Sequence, residues 1–238
     1  MCSGEKQMTM NIFFSVNNAY TEQLLVAMIS VLENNKNDDI RFHILSNDFS
    51  EDSKAKIEML KKYYKGTRGV YYHFVDKSIF DGFKMNINYI TVEMYYRYLI
   101  ADLVPNIDKA LYLDADLVVN GDIGVLYNTQ LDGYYCAGVR DLYIEKIEHK
   151  EKLGLVSEDL YVNSGVMLLN LAKIREDKMA LQLLNNTLTL ALFRDWKSDR
   201  TNTGYFLPPI PELSSHDHRF LKLFGTWIAI AATQAFLP

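Results

Sequence analysis

The chain has 238 residues, 49% apolar and 13% aromatic, enough to bury one large core or two small ones without a disulfide or metal staple. That composition excludes a disordered or low-complexity protein. A net charge of −5, from 25 basic against 30 acidic side chains, argues against a generic nucleic-acid binder, whose surface must neutralise phosphate. Cys2 and Cys136 form no CxxC pair, so a disulfide scaffold or structural zinc site is excluded and a reducing, cytoplasmic setting is expected.

Residues 11–16 read as a buried strand, followed by a helix over 21–32 with apolar residues at helical spacing. Residues 40–45 alternate as a second strand, and Ser50 is placed to cap a second helix. A third strand is expected at 70–75, and a helix near 92–103 leads into a fourth at 110–113. Later come a strand at 134–139, a helix around 142–152, a strand at 165–169 and a helix from 171 to about 184. Strand–helix alternation of this kind predicts an α/β fold with a mostly parallel sheet and helices on both faces. In such sheets ligands bind beyond the C-terminal strand ends.

The end of the chain differs. Pro208, Pro209, Pro211 and Pro238 are four of the five prolines, and no acidic residue follows Arg219. The shift sets a boundary between about 186 and 208. The division expected is an N-terminal extension at 1–9, a main domain at 10–186 and an atypical segment at 187–238. The first residues hold no apolar run of signal-peptide length. The apolar stretch 223–237 is interrupted by Gly225, Thr226, Thr233 and Gln234, and is shorter than the roughly 20 residues of a membrane helix, so no transmembrane span is expected.

GxGxxG, GxxxxGK[ST], GxSxG and HExxH are all absent, which removes the usual anchors of nicotinamide cofactors, P-loop enzymes, α/β-hydrolases and zincins. Of the five histidines, His43, His73, His149, His216 and His218, only the last two lie close in sequence, and that His-Asp-His trio reads as a solvated loop. What remains is Asp114-Ala115-Asp116, after the apolar run Ala110-Leu111-Tyr112-Leu113. With 18 aspartates in the chain, Asp-x-Asp is expected by chance about 1.4 times, so the motif alone says little. Its place at a strand end says more. In an extended segment the two carboxylates would face one side, roughly 6–7 Å apart, and share a hard cation. From spacing and context, a cation site and a turn with two solvated aspartates stand level.

Six segments in order resemble glycosyltransferase family 8, the group of bacterial galactosyl- and glucosyltransferases and glycogenin. Tyr112-Leu113-Asp114-Ala115-Asp116-Leu117-Val118-Val119 resembles its DxD segment. Phe13-Phe14-Ser15-Val16-Asn17-Asn18-Ala19-Tyr20 resembles its opening strand and nucleotide-contacting loop, and Arg41-Phe42-His43-Ile44-Leu45 its second strand. Tyr96-Arg97-Tyr98 resembles a donor-contacting arginine segment, Gly138-Val139-Arg140-Asp141 a strand end carrying a sugar-binding aspartate, and Asn163-Ser164-Gly165-Val166 its N-[AS]-G-V segment. The likeness covers about residues 10 to 180, three quarters of the chain.

The resemblance implies a GT-A fold, Rossmann-like, and metal-dependent, retaining transfer of a hexose from a UDP-sugar such as UDP-glucose or UDP-galactose. It implies Mn²⁺ or Mg²⁺ on Asp114 and Asp116, with Ala115 between them at the donor. The uracil and ribose would sit on the loop Val16-Asn17-Asn18-Ala19-Tyr20, with Asn17 and Tyr20 as nucleotide contacts. Arg97 would fork onto phosphate or sugar oxygens, Asp141 and Asn163 would bind donor-sugar hydroxyls, and Ser164 and Gly165 would admit the sugar against the backbone. The implied acceptor is a saccharide, a lipid-linked glycan or a protein, in the cytoplasm or peripherally at the inner membrane face, with no nucleic-acid partner. Without the ordered likeness, Arg97 reads as a surface arginine, Asn163 as a turn residue and Tyr20 as a core aromatic.

The sequence departs from the family at Asn17 and Ala19, where the family often has aspartate and asparagine. It departs more sharply later. The Asp-Gln-Asp and His-x-x-G-x-x-K-P-W segments have no counterpart in Arg194-Asp195-Trp196-Lys197-Ser198-Asp199-Arg200 or in Ser215-His216-Asp217-His218-Arg219. The tail is therefore read as not ancestral, the product of a frame change or a replaced end, and expected to pack loosely. Two other functions compete with the transferase: a nucleotide-sugar-binding protein with weak or no turnover, and an unrelated α/β metal-dependent phosphatase or nucleotidyltransferase. The last leaves Asn163-Ser164-Gly165 unexplained.

Overall fold

The computed structural model describes residues 9–83, 91–141, 162–185 and 221–223. The fold is α/β, and its chain divides into two compact units.

The first unit holds described residues 9–75 and 110–130. Strands β1 (Thr9–Ser15), β2 (Asp39–Ser46), β3 (Thr67–Phe74) and β4 (Lys109–Leu113, within this unit from Ala110) lie in the order β3-β2-β1-β4, all parallel. The apolar runs Ile12–Phe14, Ile44–Leu45 and Ala110–Leu113 lie in strands covered on both faces, whereas the edge strand β3 exposes Arg68, Tyr71 and Phe74. Ile12, Phe13, Phe14, Ile40, Phe42, Ile44 and Leu111 are wholly buried. After a 3₁₀ turn at Asn18–Tyr20, helix α1 (Thr21–Asn34) buries Leu24, Ala27, Met28, Val31 and Leu32, the i, i+3, i+4, i+7, i+8 stripe of an amphipathic helix. Helix α2 (Glu51–Glu58) starts where the Ser50 side chain accepts the Ser53 N–H, and the short α3 (Leu60–Tyr63) follows. Helix α5 (Gly124–Tyr127) comes after β4. Side chains of α1 and of its C-cap residue tie down the chain beyond β4: Ser30 Oγ accepts from the Val119 N–H at 2.9 Å, and Asn35 Oδ1 from the Ile123 N–H at 2.9 Å.

In the second unit, β5 (Cys136–Arg140) pairs antiparallel with β6 (Val162–Asn170) and parallel with β7 (Leu221–Leu223). The tail thus adds a strand to β5 over those three residues, where loose packing was expected. The helix expected over 142–152 lies outside the described residues.

Two expected helices are corrected. The segment 92–103 is a 3₁₀ helix at Val92–Leu99 running into a single α turn, α4 (Ile100–Leu103). Its β-branched and aromatic side chains are poor α-formers. Arg97 Nε takes the Met94 carbonyl at 2.6 Å, which an α ladder would have given to the Tyr98 N–H. The helix from Leu171 ends early, as α6 (Leu171–Glu176), and restarts over 179–185. At the break Lys178 takes a left-handed φ of 52°. Asp177 accepts from Tyr135 Oη at 2.7 Å and Lys173 Nζ at 2.8 Å, contacts that hold the break in place.

Candidate active site

In the first unit, two loops leave the C-terminal ends of the adjacent parallel strands β1 and β4, where open α/β sheets bind ligands. The β1 loop carries Asn17 and Tyr20. Asn17 is extended, and its Oδ1 accepts the Ala19 N–H at 3.1 Å while its carbonyl accepts the Tyr20 N–H at 3.1 Å. Tyr20 is 41% exposed, so it is not the core aromatic that the sequence alone suggested.

The β4 loop carries Asp114-Ala115-Asp116. β4 ends at Leu113 and residues 115–116 form a turn, so the strand-pleat argument for two same-sided carboxylates does not apply. Buried Tyr112 donates its hydroxyl to Asp114 Oδ1 at 3.0 Å, and Ala115 is buried between the two acids. Asp116 is exposed as a residue, yet desolvation of its carboxyl and, second, the Asp114 charge hold its pKa above the ordinary carboxylate value. Two mutually repelling hard oxygen donors are the chemistry a divalent cation relieves, so the pair fits part of a cation site. Among the described residues no third His, Cys, Asp or Glu completes it. His216 lies outside them.

The second unit gathers the other five candidates. Arg97 Nη1 donates to the Ser164 carbonyl. Asn163 Oδ1 accepts the Gly165 N–H at 2.8 Å, and Asn163 Nδ2 reaches Asp141 Oδ2 across 3.5 Å, a loose contact. Arg97 is therefore not the plain surface arginine, nor Asn163 the isolated turn residue, that each resembles when read alone. The cluster offers a guanidinium, an amide and a carboxylate, a set suited to hydroxyl and phosphate oxygens.

Sequence reasoning placed Asn18 in the nucleotide-contacting loop without a role of its own, and passed over Asp48, which helps shape that loop, and Glu93, a buried acid four residues before Arg97. Their partners or burial are set by tertiary contacts, and no local pattern marks them.

Residues 11–198 match the family described as glycosyl transferase family 8. The chain belongs to that family. It is similar to a provisionally named glycosyltransferase of Haemophilus influenzae, 33% identical over 179 residues that cover 74% of this chain and 53% of the relative. It is also similar to a lipopolysaccharide 1,2-glucosyltransferase of Escherichia coli, 29% identical over 171 residues, 70% of this chain and 49% of that one. The chain spans about half the length of these curated relatives. Among solved structures it resembles the galactosyltransferase LgtC in complex with donor and acceptor sugar analogs, at 28% identity and a TM-score of 0.66, covering 77% of this chain and 70% of that one. The fold is accordingly GT-A, as the resemblance implied.

Proposed function

We propose that the protein transfers a hexosyl group from a UDP-sugar to a hydroxyl of a saccharide, lipid-linked glycan or protein, with retention at the anomeric carbon. The observation that carries the reading is the Arg97–Ser164–Asn163–Asp141 cluster, assembled from segments far apart in the chain in a member of this family. Membership is the ground for the nucleotide-sugar donor.

In this reading the Asn17–Tyr20 loop takes the uracil and ribose. Asp114 and Asp116 hold Mn²⁺ or Mg²⁺, with Ala115 beside the donor; the ion, when bound, offsets the charge that develops on the departing diphosphate. Arg97 steadies phosphate or sugar oxygens with its guanidinium. Asp141 and Asn163 orient sugar hydroxyls, and Ser164 and Gly165 let the ring lie close to the main chain. The C1–O bond to the diphosphate breaks and UDP departs, a C1–O bond to the acceptor oxygen forms, and the acceptor's hydroxyl proton passes to the departing diphosphate or to water. Residues 10–186 form the catalytic domain of this reading, and the protein works in the cytoplasm or against the inner membrane face. Among the described residues no helix is long and apolar enough to cross a membrane.

The sequence at 194–200 and 215–219 favours a second reading, a nucleotide-sugar-binding protein with weak turnover, since neither late family motif is present there. Release of UDP from UDP-glucose and UDP-galactose in the presence of Mn²⁺ separates the two. Turnover supports the transferase, and tight binding without turnover supports the second reading.

A further inference from the structure

The β1 loop is fastened by side chains to which no ligand role has been given. Asn18 Oδ1 accepts from the Ser50 N–H at 3.0 Å and from Ser53 Oγ at 2.7 Å. The Asn18 N–H donates to Asp48 Oδ1 at 3.0 Å, and the Asn18 carbonyl accepts from Thr21 Oγ1 at 2.7 Å. Asp48 is itself held, because the same Oδ1 accepts from Ser46 Oγ at 3.1 Å. Ser46, Ser53 and Thr21 are buried, Asn18 and Ser50 are half-buried and Asp48 is exposed, so the polar hub runs from the interior to the surface beside an exposed tip made of Ala19 and Tyr20.

This arrangement joins a three-residue turn to the end of β2 and the start of α2. The tip that would meet a ligand is exposed, and the groups that fix its shape run from Asp48 at the surface through half-buried Asn18 to buried Ser53 and Thr21. The bonds of Asn18 Oδ1 to Ser50 and Ser53 are partly buried, where water competes less, and a partner there is costly to leave unpaired. A loop ordered in advance spares its ligand the entropy of ordering it, which appears as affinity and not as a faster chemical step.

We infer that Asn18, with Asp48, is a positioning residue for the nucleotide subsite, holding the Asn17–Tyr20 loop in its binding shape before the donor arrives. The inference rests on the nucleotide-sugar reading above. It assigns Asn18 an effect on donor affinity through the loop backbone, with no part in the transfer step.

The test compares wild type, Asn18→Ala and Asn18→Asp. The aspartate keeps the acceptor oxygen for Ser50 and Ser53; the alanine removes it. UDP binding is read by calorimetry, donor kinetics by UDP release, and loop order by hydrogen exchange of the 17–20 amides without ligand. The expected result for Asn18→Ala is a tenfold or greater rise in the Kd for UDP and in the donor KM, kcat within about twofold, and exchange at 17–20 at least tenfold faster. Asn18→Asp is expected to restore most of the UDP affinity and slow exchange, and Asp48→Ala to move the same quantities in the same direction as Asn18→Ala. Undiminished UDP affinity in Asn18→Ala, even with a lower melting temperature, overturns the inference, since a merely structural residue would behave that way. Unchanged exchange at 17–20 in that variant overturns it as well. Wild type that binds no UDP while Asn18→Ala still loosens the loop overturns the nucleotide reading, and the inference falls with it.

Discussion

The guanidinium of Arg97 donates at once to the Met94 carbonyl, three residues back, and to the Ser164 carbonyl, 67 residues on. One side chain thereby shapes its own 3₁₀ turn and holds the β6 segment that carries Asn163 and Gly165. A lysine presents a single ammonium in place of this planar fork. Arg97→Lys is expected to lower kcat/KM by about tenfold and Arg97→Ala by about 100-fold, with about 1 kcal/mol of stability lost in the alanine variant as the half-buried Met94 and Ser164 carbonyls go unpaired. Steady-state kinetics with urea unfolding checks both. Lysine matching arginine in kcat/KM would contradict the fork.

His43 is buried between Phe13 and Tyr71, with ring centroids 4.3 Å and 4.9 Å away. Its Nε2 faces Asn11 Oδ1 at 3.3 Å, and its Nδ1 faces His73 Nε2 at 3.0 Å. Asn11 Oδ1 can only accept, so Nε2 carries the proton and Nδ1 accepts from His73. Burial first, then the charges of His73 and Arg41, lower the His43 pKa from 6.5 to about 3. The unfolded chain therefore takes up a proton that the native state refuses. This contribution to stability is complete above about pH 6.5 and declines as the pH falls toward 3. Urea unfolding of wild type and His43→Gln at pH 7.5 and 4.5 is expected to show a steeper acid loss in wild type, by about 2–3 kcal/mol. Parallel losses would remove His43 as the cause.

Much of this was legible in the sequence. The apolar runs of β1 and β2, the heptad-like stripe of α1 and the Ser50 cap are local patterns, and each element stands within two residues of its expected place. The 3₁₀ stretch at Val92–Leu99 was not legible, because Arg97 reaching Ser164 is a tertiary fact. The break after Glu176 depends on Tyr135 meeting Asp177, again across the chain. At the site the residue types could be read but not their setting. Asp114 and Asp116 lie on a turn rather than a strand, and the hub around Asn18 joins three segments with no shared motif.

Glu93 is only 8% exposed, and its Oε2 has no hydrogen-bond partner. A buried carboxyl oxygen without a partner is destabilising, and an apolar side chain of similar length removes that cost. Glu93→Met is expected to stabilise the protein by about 1–2 kcal/mol, a rise of a few degrees in melting temperature. Calorimetry or thermal denaturation checks it, and a lower melting temperature would show that the carboxyl is satisfied in solution.

The product of transfer is expected to keep the anomeric configuration of the donor. Proton NMR of the new linkage, from the C1–H coupling of the transferred hexose, reads this directly. An inverted linkage would contradict the proposed reaction.

The central claim is that the Asp114–Asp116 turn and a nucleotide diphosphate share one cation. Two carboxylates are too few ligands for a hard divalent ion, so the diphosphate should complete its shell and bind more tightly with it. Titration calorimetry of UDP with and without Mn²⁺, on wild type and Asp116→Ala, measures this. The account predicts affinity at least tenfold higher with Mn²⁺ in wild type, and no such gain in Asp116→Ala. Equal UDP affinity with and without the metal in wild type, or a gain that survives in Asp116→Ala, would contradict it.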